Sequence, residues 1–365
     1  LRKKLAKFLH EHPYTKTLAL SKAERKAHGL PPNKYYEQEY LLEMNPNTGR
    51  THPENYIALQ KELKTNRLLE RVPGDALDNM WVERGPNNVG GRTRVILFDP
   101  NDGTNKRVFA GGVSGGLWVN DDIMNSNSSW TRVGIDENLS VSCITVDPNN
   151  SQIMYLGTGE SYTGDDGVGN GVWKSTNGGT SWTNIWTDQS QTSIGDRVYY
   201  INDIIAWNNP STSKTEVFLG IGGGYYSEGG QNIGFNKTGI YKSTDDGVTF
   251  VRNLILTTDI SPSPYEPNDF VVGADNTLWF GTTTNRFGDG GGTIFKSTDG
   301  ATFSIEHTIT AADRLQLAIS KTDKDKLYVL ASRYRASDTP IILITADSFS
   351  TTTDITTPAD ADTGI

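Results

Sequence analysis

The sequence predicts an all-β chain, folded as a β-propeller of at least five blades behind a short helical N-terminal extension. Three observations predict it. The apolar period changes near residue 81 from helical to strict alternation. Beyond that point one strand–turn–strand element recurs five times, and most copies are followed by a second, eight-residue hairpin element. Composition agrees: the 365 residues are 35% hydrophobic and 10% aromatic, with 38 Gly and 15 Pro, which is turn-rich but not disordered.

Charge divides the chain at the same place. Residues 1–80 hold 14 Lys/Arg against 10 Asp/Glu, and residues 81–365 hold 20 against 33. The extension, 1–80, reads as helical and extended pieces. Arg2 to His10 is a basic amphipathic stretch with Leu5, Phe8 and Leu9 on one side. Ser21-x-x-Glu24 is a capping box, and Thr51-x-x-Glu54 with Pro53 is a second, opening the best helix of the chain at about 53–70. From Tyr35 to Arg50 the chain reads as an extended cover.

The propeller is expected over 81–365. Its first element is an alternating strand, often closed by an Asp/Asn-Pro turn, then an aromatic-led strand that usually ends in Gly. The leading aromatics are Phe109, Tyr155, Phe218, Trp279 and Tyr328, spaced 46, 63, 61 and 49 residues apart. The second element runs Ser175 to Trp182, Ser243 to Phe250 and Ser297 to Phe303, with degenerate copies at 117–130 and 344–349. Its physics is that of a hairpin turn. Asn177, Asp245 and Asp299 bind turn backbone beside Ser175, Ser243 and Ser297. Gly179 and Gly247 supply positive φ, and Trp182, Phe250 and Phe303 plug between layers. A four-stranded unit cannot bury both faces alone, and radial stacking buries them. Residues after Ser348 carry little core material, so the ring is expected to be incomplete at its C-terminal end.

Several classes are excluded. Net charge -9 and pI about 5.1 argue against nucleic acid, and mean hydropathy is -0.49. Cys143, the only cysteine, rules out a disulfide scaffold and reads as a buried apolar filler. No apolar run reaches the ~18 residues of a membrane span. The five His make no zinc spacing, and Gly90-Gly91 and Gly222 to Gly224 lack the Lys-Ser/Thr of a phosphate loop. No cofactor is expected. Acidic turns offer the oxygen donors that Ca²⁺ takes, without a calcium-loop spacing. The opening Leu1-Arg2-Lys3-Lys4, without an initiator Met, fits a removed signal peptide or a fragment.

The turns at 175–182, 243–250 and 297–303 resemble the Asp-box, or BNR repeat, Ser-x-Asp-x-Gly-x-Thr-Trp/Phe. That repeat is shared by exo-sialidases, xyloglucan-cleaving two-propeller glycosidases, sortilin-like receptors and photosystem assembly factors. The wider runs Trp81 to Arg94, Gly111 to Trp118 and Gly157 to Glu160, with the lead-ins Gly29 to Tyr36 and Met44 to Arg50, resemble large secreted propeller proteins of Bacteroidota exported by the type IX secretion system. The resemblance implies an Asp-box propeller located outside the cell or on its outer surface. It supports a non-enzymatic module that binds a protein or glycan through its loop rims, as cargo or a component of that system, with secretion-machinery components among its partners. The candidate rim is Arg92, Arg94, Glu160, Tyr162, Asp165, Asp166, Tyr225, Tyr226, Glu228, Arg286 and Asp289. No residue is assigned as catalytic. A sialidase would need an arginine triad, a Tyr nucleophile with a Glu partner and a Phe/Tyr-Arg-Ile-Pro opening, and the opening is missing. The competing reading is an extracellular glycoside hydrolase acting on polysaccharide, which needs two facing carboxylates. In xyloglucan-cleaving relatives the first catalytic Asp follows the opening of the first blade, and here that place reads Gly90-Gly91-Arg92-Thr93-Arg94. A facing pair with one raised pKa would separate the two readings.

Overall fold

A computed structural model describes residues 92–113, 115–135, 139–160, 169–187, 200–226, 231–253, 255–258, 263–333 and 340–355, and in the N-terminal part 20–28, 55–69 and a few single positions. For 26, 56–57, 64, 67–69, 224–226, 231–236 and 333 it describes backbone alone. The chain divides into two compact units, Leu1–Asp75 with Tyr226–Gln231, and Ala76–Tyr225 with Asn232–Ile365.

The first unit holds α1 (Lys22–Ala27) and α2 (Tyr56–Leu69). The capping box at α1 forms in both directions. The Ser21 amide and hydroxyl donate to Glu24 Oε2 at 2.8 and 2.7 Å, and the Glu24 amide donates to Ser21 Oγ at 3.4 Å. The second capping box, most of the Arg2–His10 stretch and all of the Tyr35–Arg50 segment except Met44, Asn45 and Asn47 lie outside the described residues.

The second unit is all-β. Its strands form five successive antiparallel meanders. The first is β1 (Thr93–Phe98), β2 (Val108–Gly112), β3 (Gly116–Asn120) and β4 (Thr131–Arg132); the second is β5 (Val141–Asp147), β6 (Asn150–Thr158), β7 (Val172–Ser175) and β8 (Thr183–Trp186). The third is β9 (Ile201–Asn209), β10 (Lys214–Tyr226), β11 (Gln231–Ser243) and β12 (Val251–Arg252). The fourth is β13 (Glu266–Val272), β14 (Leu278–Thr283), β15 (Thr293–Ser297) and β16 (Ser304–Thr308), and the fifth β17 (Ala312–Ile319), β18 (Leu327–Arg333), β19 (Ile341–Thr345) and β20 (Thr353–Ile355). The last two are not separate sheets, as the repeat alone would suggest: one pairing, Thr283 with Arg314, joins them into eight strands.

The packing explains the repeated residues. First strands lie side by side, β1 with β5, β5 with β9, β9 with β13 and β13 with β17. A glycine in each of the first four aromatic-led strands permits this approach. A Cβ on Gly157 would lie 2.5 Å from Cys143 Sγ and from Ile201 Cγ2, and one on Gly220 would lie 2.6 Å from the Pro267 carbonyl. Gly111 faces Val141 and Gly281 faces Leu315 in the same way. Ile96 and Phe98 on β1 are 64% and 57% exposed. Between meanders the turn glycines rest on the aromatic of the preceding meander: Gly179 on Phe109, Gly247 on Tyr155, Gly300 on Phe218. Lys174 and Lys242 lie over Tyr155 and Phe218 and donate to the Asp246 and Gly300 carbonyls of the next turn, at 2.8 and 3.1 Å.

Each turn closes with the same bonds. The hydroxyls of Ser175, Ser243 and Ser297 accept from the amides of Gly179, Gly247 and Gly300, all at 2.9 Å. Asn177, Asp245 and Asp299 accept from the amides of Ser181, Thr249 and Thr302 at 2.8–2.9 Å. Hydrogen bonds from Thr249 hold Asp245 down at about 2, and those from the Thr302 and Ala301 amides do the same for Asp299. The fifth turn, read as degenerate, makes the full set: Thr345 Oγ1 accepts from the Phe349 amide at 2.9 Å and Asp347 Oδ1 from the Thr351 amide at 2.8 Å. Phe349 therefore stands where Gly179 and Gly247 stand, at φ 70°, and its ring packs on Trp279 at 6.0 Å.

Candidate functional site

The joint between the fourth and fifth meanders builds a polar cavity. Register runs Glu266 to Thr283, Thr283 to Arg314 and Arg314 to Ser332, so one row of partners crosses β13, β14, β17 and β18. These four residues, with Gly223, Thr284 and Asp313, line a cavity of about 290 Å³. The Asp313 carbonyl accepts from the Thr284 amide at 2.7 Å and from its hydroxyl at 3.2 Å, which fixes that wall.

Glu266 is the unusual member. It is 2% exposed, and its Oε1 has no hydrogen-bond partner. Burial pushes the carboxyl up to about 8, against bonds from the Thr238 hydroxyl and the Gly223 amide and the charges of Arg286 and Arg252. Arg252 Nε donates to the Thr238 carbonyl at 2.9 Å, so the arginine steadies the residue that bonds Glu266. The result is a carboxylic acid that keeps its proton near neutrality, in a cavity that also holds Asp313 and Arg314. Such a group can donate a proton to a leaving oxygen.

A second group of acids lies on the first strands. Asp203 Oδ2 accepts from the Phe270 amide at 2.6 Å and Asp269 Oδ2 from the Leu317 amide at 2.5 Å. Their neighbours act in parallel: Asn202 Nδ2 donates to the Pro267 carbonyl at 3.1 Å and Asn268 Nδ2 to the Leu315 carbonyl at 2.6 Å. Burial raises both acids, and the charge of Asp269 raises Asp203 further; Arg94 opposes both shifts. These carboxylates tie β9 to β13 and β13 to β17.

The expected rim residues fall into three sets. Arg92 and Glu160 pair with each other at 2.8 Å, and Glu160 is buried. Arg94 acts on Asp203, Asp269 and Cys143. Asp289 accepts from Ser263 Oγ, Thr258 Oγ1 and Asn285 Nδ2, which makes it a loop brace, while Arg286 lies 4.8 Å from the Phe287 ring and acts on Glu266. Tyr162, Asp165, Asp166 and Glu228 lie outside the described residues, and Tyr225 and Tyr226 are described in backbone only. The reading from sequence missed Glu266, Asp313, Arg314, Asp203 and Asp269. The duplicated Asn-Asp at 202–203 and 268–269, each in a first strand, was a signal for the last pair. Among the described residues no three His, Cys, Asp or Glu group so as to hold a metal, and no helix is long and apolar enough to cross a membrane. Burial pushes the Cys143 thiol up.

No family model matches the chain. It is similar to a xyloglucanase of Hypocrea jecorina, 25% identical over 266 residues, 67% of this chain and 28% of that one. It is also similar to a xyloglucanase of Acetivibrio thermocellus, 26% identical over 170 residues, 42% of this chain and 17% of that one. The chain thus spans less than a third of either relative. Among solved structures, a GH74 enzyme of Niastella koreensis superposes with TM-score 0.49 at 22% identity, covering 72% of this chain and 38% of that one.

These sequence similarities correct three expectations. The resemblance to sialidase-type or sortilin-like Asp-box proteins gives way to similarity with xyloglucanases, and so does the expected place as type IX cargo. The reading as a binding module without catalysis falls with it, since both relatives carry an enzyme's name. The misdirection has a physical source. The hairpin turn solves a local problem of backbone bonding and sheet stacking, so its presence reports how sheets are held and not what the chain does.

Proposed function

We propose that this chain is part of an extracellular glycoside hydrolase acting on a polysaccharide of the xyloglucan class, its five meanders standing as blades of a propeller. The observation that carries the reading is Glu266: a buried acid pushed up to about 8, with one oxygen lacking a hydrogen-bond partner, lining a cavity that Asp313 and Arg314 also line. The similarity to xyloglucanases supplies the substrate class. In the step proposed, Glu266 gives its proton to the glycosidic oxygen as the bond from that oxygen to the anomeric carbon breaks. Water adds to the anomeric carbon, and Asp313 takes the proton that the water loses. Arg314, Thr283 and Ser332 orient sugar hydroxyls around the reacting bond. The test measures reducing ends released from xyloglucan, mixed-linkage β-glucan and galactomannan. The parent chain is expected to cleave xyloglucan, and Glu266→Gln to lower turnover at least a thousandfold with an unchanged melting midpoint. A parent that cleaves none of the three, or an active Glu266→Gln, overturns the reading.

A further inference from the structure

The loop 284–292, between β14 and β15, is braced by buried polar groups. Asn285 is buried; its Nδ2 donates to Ser263 Oγ, to the Pro264 carbonyl and to the Asp289 carboxylate, and its Oδ1 accepts from the Phe287 amide at 2.9 Å. Asp289 is gripped in turn by Ser263 at 2.8 Å and Thr258 at 3.1 Å. Backbone bonds from Asn285 to Asp289 and from Gly288 to Asn285, at 2.8 and 2.9 Å, close the loop on itself. What this frame holds out is an aromatic ring: Phe287 is 59% exposed, with the Arg286 guanidinium 4.8 Å from the ring centroid.

Two facts connect the loop to the candidate site. Thr284, the first residue of the loop, lines the cavity, and the charge on Arg286 acts on Glu266. A phenyl ring in water is unfavourable. A frame of satisfied buried polar groups that fixes such a ring outside is the arrangement of a preorganised contact surface. We infer that Phe287 is a stacking platform for a pyranose ring of the substrate next to the cavity, with Arg286 holding the phenyl orientation. A pyranose presents C–H groups on its faces, and these meet the electron-rich face of an aromatic ring. The inference rests on the proposed hydrolase reading and adds to it a residue that selects and positions substrate.

The test measures binding of xyloglucan oligosaccharides by calorimetry in the Glu266→Gln background, and hydrolysis in the otherwise unaltered chain. Phe287→Ala is expected to weaken binding at least tenfold, Phe287→Leu to do the same while keeping apolar bulk, and Phe287→Trp to restore affinity to within twofold. In the active chain Phe287→Ala raises KM at least tenfold while kcat falls less than threefold. Met124→Ala, at an exposed residue between β3 and β4, serves as the unaffected control. Equal binding by Phe287→Ala and its parent overturns the inference while hydrolysis by the parent leaves the proposed function standing. Binding that depends on Phe287 without hydrolysis supports the platform and overturns the hydrolase. A parent that neither binds nor cleaves xyloglucan overturns both.

Discussion

The buried acids of β9 and β13 differ in how their oxygens are satisfied. On β9 and β13, Asp203 and Asp269 each accept an amide of the following first strand. Three residues before Asp269, at the start of β13, Glu266 keeps one oxygen without a partner in a cavity. All three are raised by burial, so a raised pKa alone does not tell them apart. Hydrogen-bond satisfaction separates them. The second meander sharpens the contrast. Ser142 Oγ donates to the Ile201 carbonyl at 2.5 Å, as Asn202 and Asn268 do to theirs, but Cys143 stands where the aspartates stand, and Thr145 Oγ1 accepts from the Ala206 amide instead.

The largest way to break the comparison is catalytic. Glu266→Gln should cost at least a thousandfold in turnover, whereas Asp203→Asn, which keeps an accepting oxygen, should leave turnover within threefold; comparable losses from both would erase the distinction. Next comes stability. Asp203→Ala leaves the Phe270 amide buried without its acceptor and should cost about 1–3 kcal/mol in urea unfolding, while Asp203→Asn should cost less than half of that. Gly220→Ala should lose about 1–3 kcal/mol through overpacking against Pro267, with Gly103→Ala, where nothing lies within 4 Å, as its neutral counterpart.

The pH dependence gives a third contrast, with its sign set by the direction of each shift. Glu266 is raised from 4.5 to about 8, so its contribution is full below pH 4.5 and is lost as pH rises toward 8. Asp245 and Asp299 are lowered from 3.8 to about 2, so theirs is full above pH 3.8 and is lost as pH falls through 2. Urea midpoints measured from pH 2 to 9 should therefore fall at both ends. Glu266→Gln should make the alkaline limb alone shallower, Asp203 and Asp269 keeping the rest of it, and Asp245→Asn the acid limb alone, with Asp299 keeping its share. The smallest effect is at the fifth turn. Phe349→Gly removes backbone strain of about 1 kcal/mol but also the ring on Trp279, so a net loss in melting midpoint is expected, and a gain would show that the strain dominates.

What the sequence disclosed follows from range. The hairpin turns were legible because Ser243, Asp245 and Gly247 satisfy one another within five residues. The strand-ending glycines were legible as a pattern, but their reason was not, because Gly157 is required by Ile201, which is 44 residues away. Glu266 carried no local mark. Its raised pKa comes from burial, against groups on β10, β11 and the loop after β14 that pull it down. Glu160 and Asp289 looked like free loop acids for the same reason: Arg92 and Thr258, which engage them, lie 68 and 31 residues away.

Phe349 ties the fifth turn to a residue far from it in the chain. The turn at Gly178 and Gly179 takes its positive φ angles on glycines alone, whereas the phenylalanine at φ 70° packs on the indole of Trp279, 70 residues earlier. A synthetic hairpin spanning 172–186 is therefore expected to populate its turn more than one spanning 341–355, whose geometry leans on a ring outside the peptide.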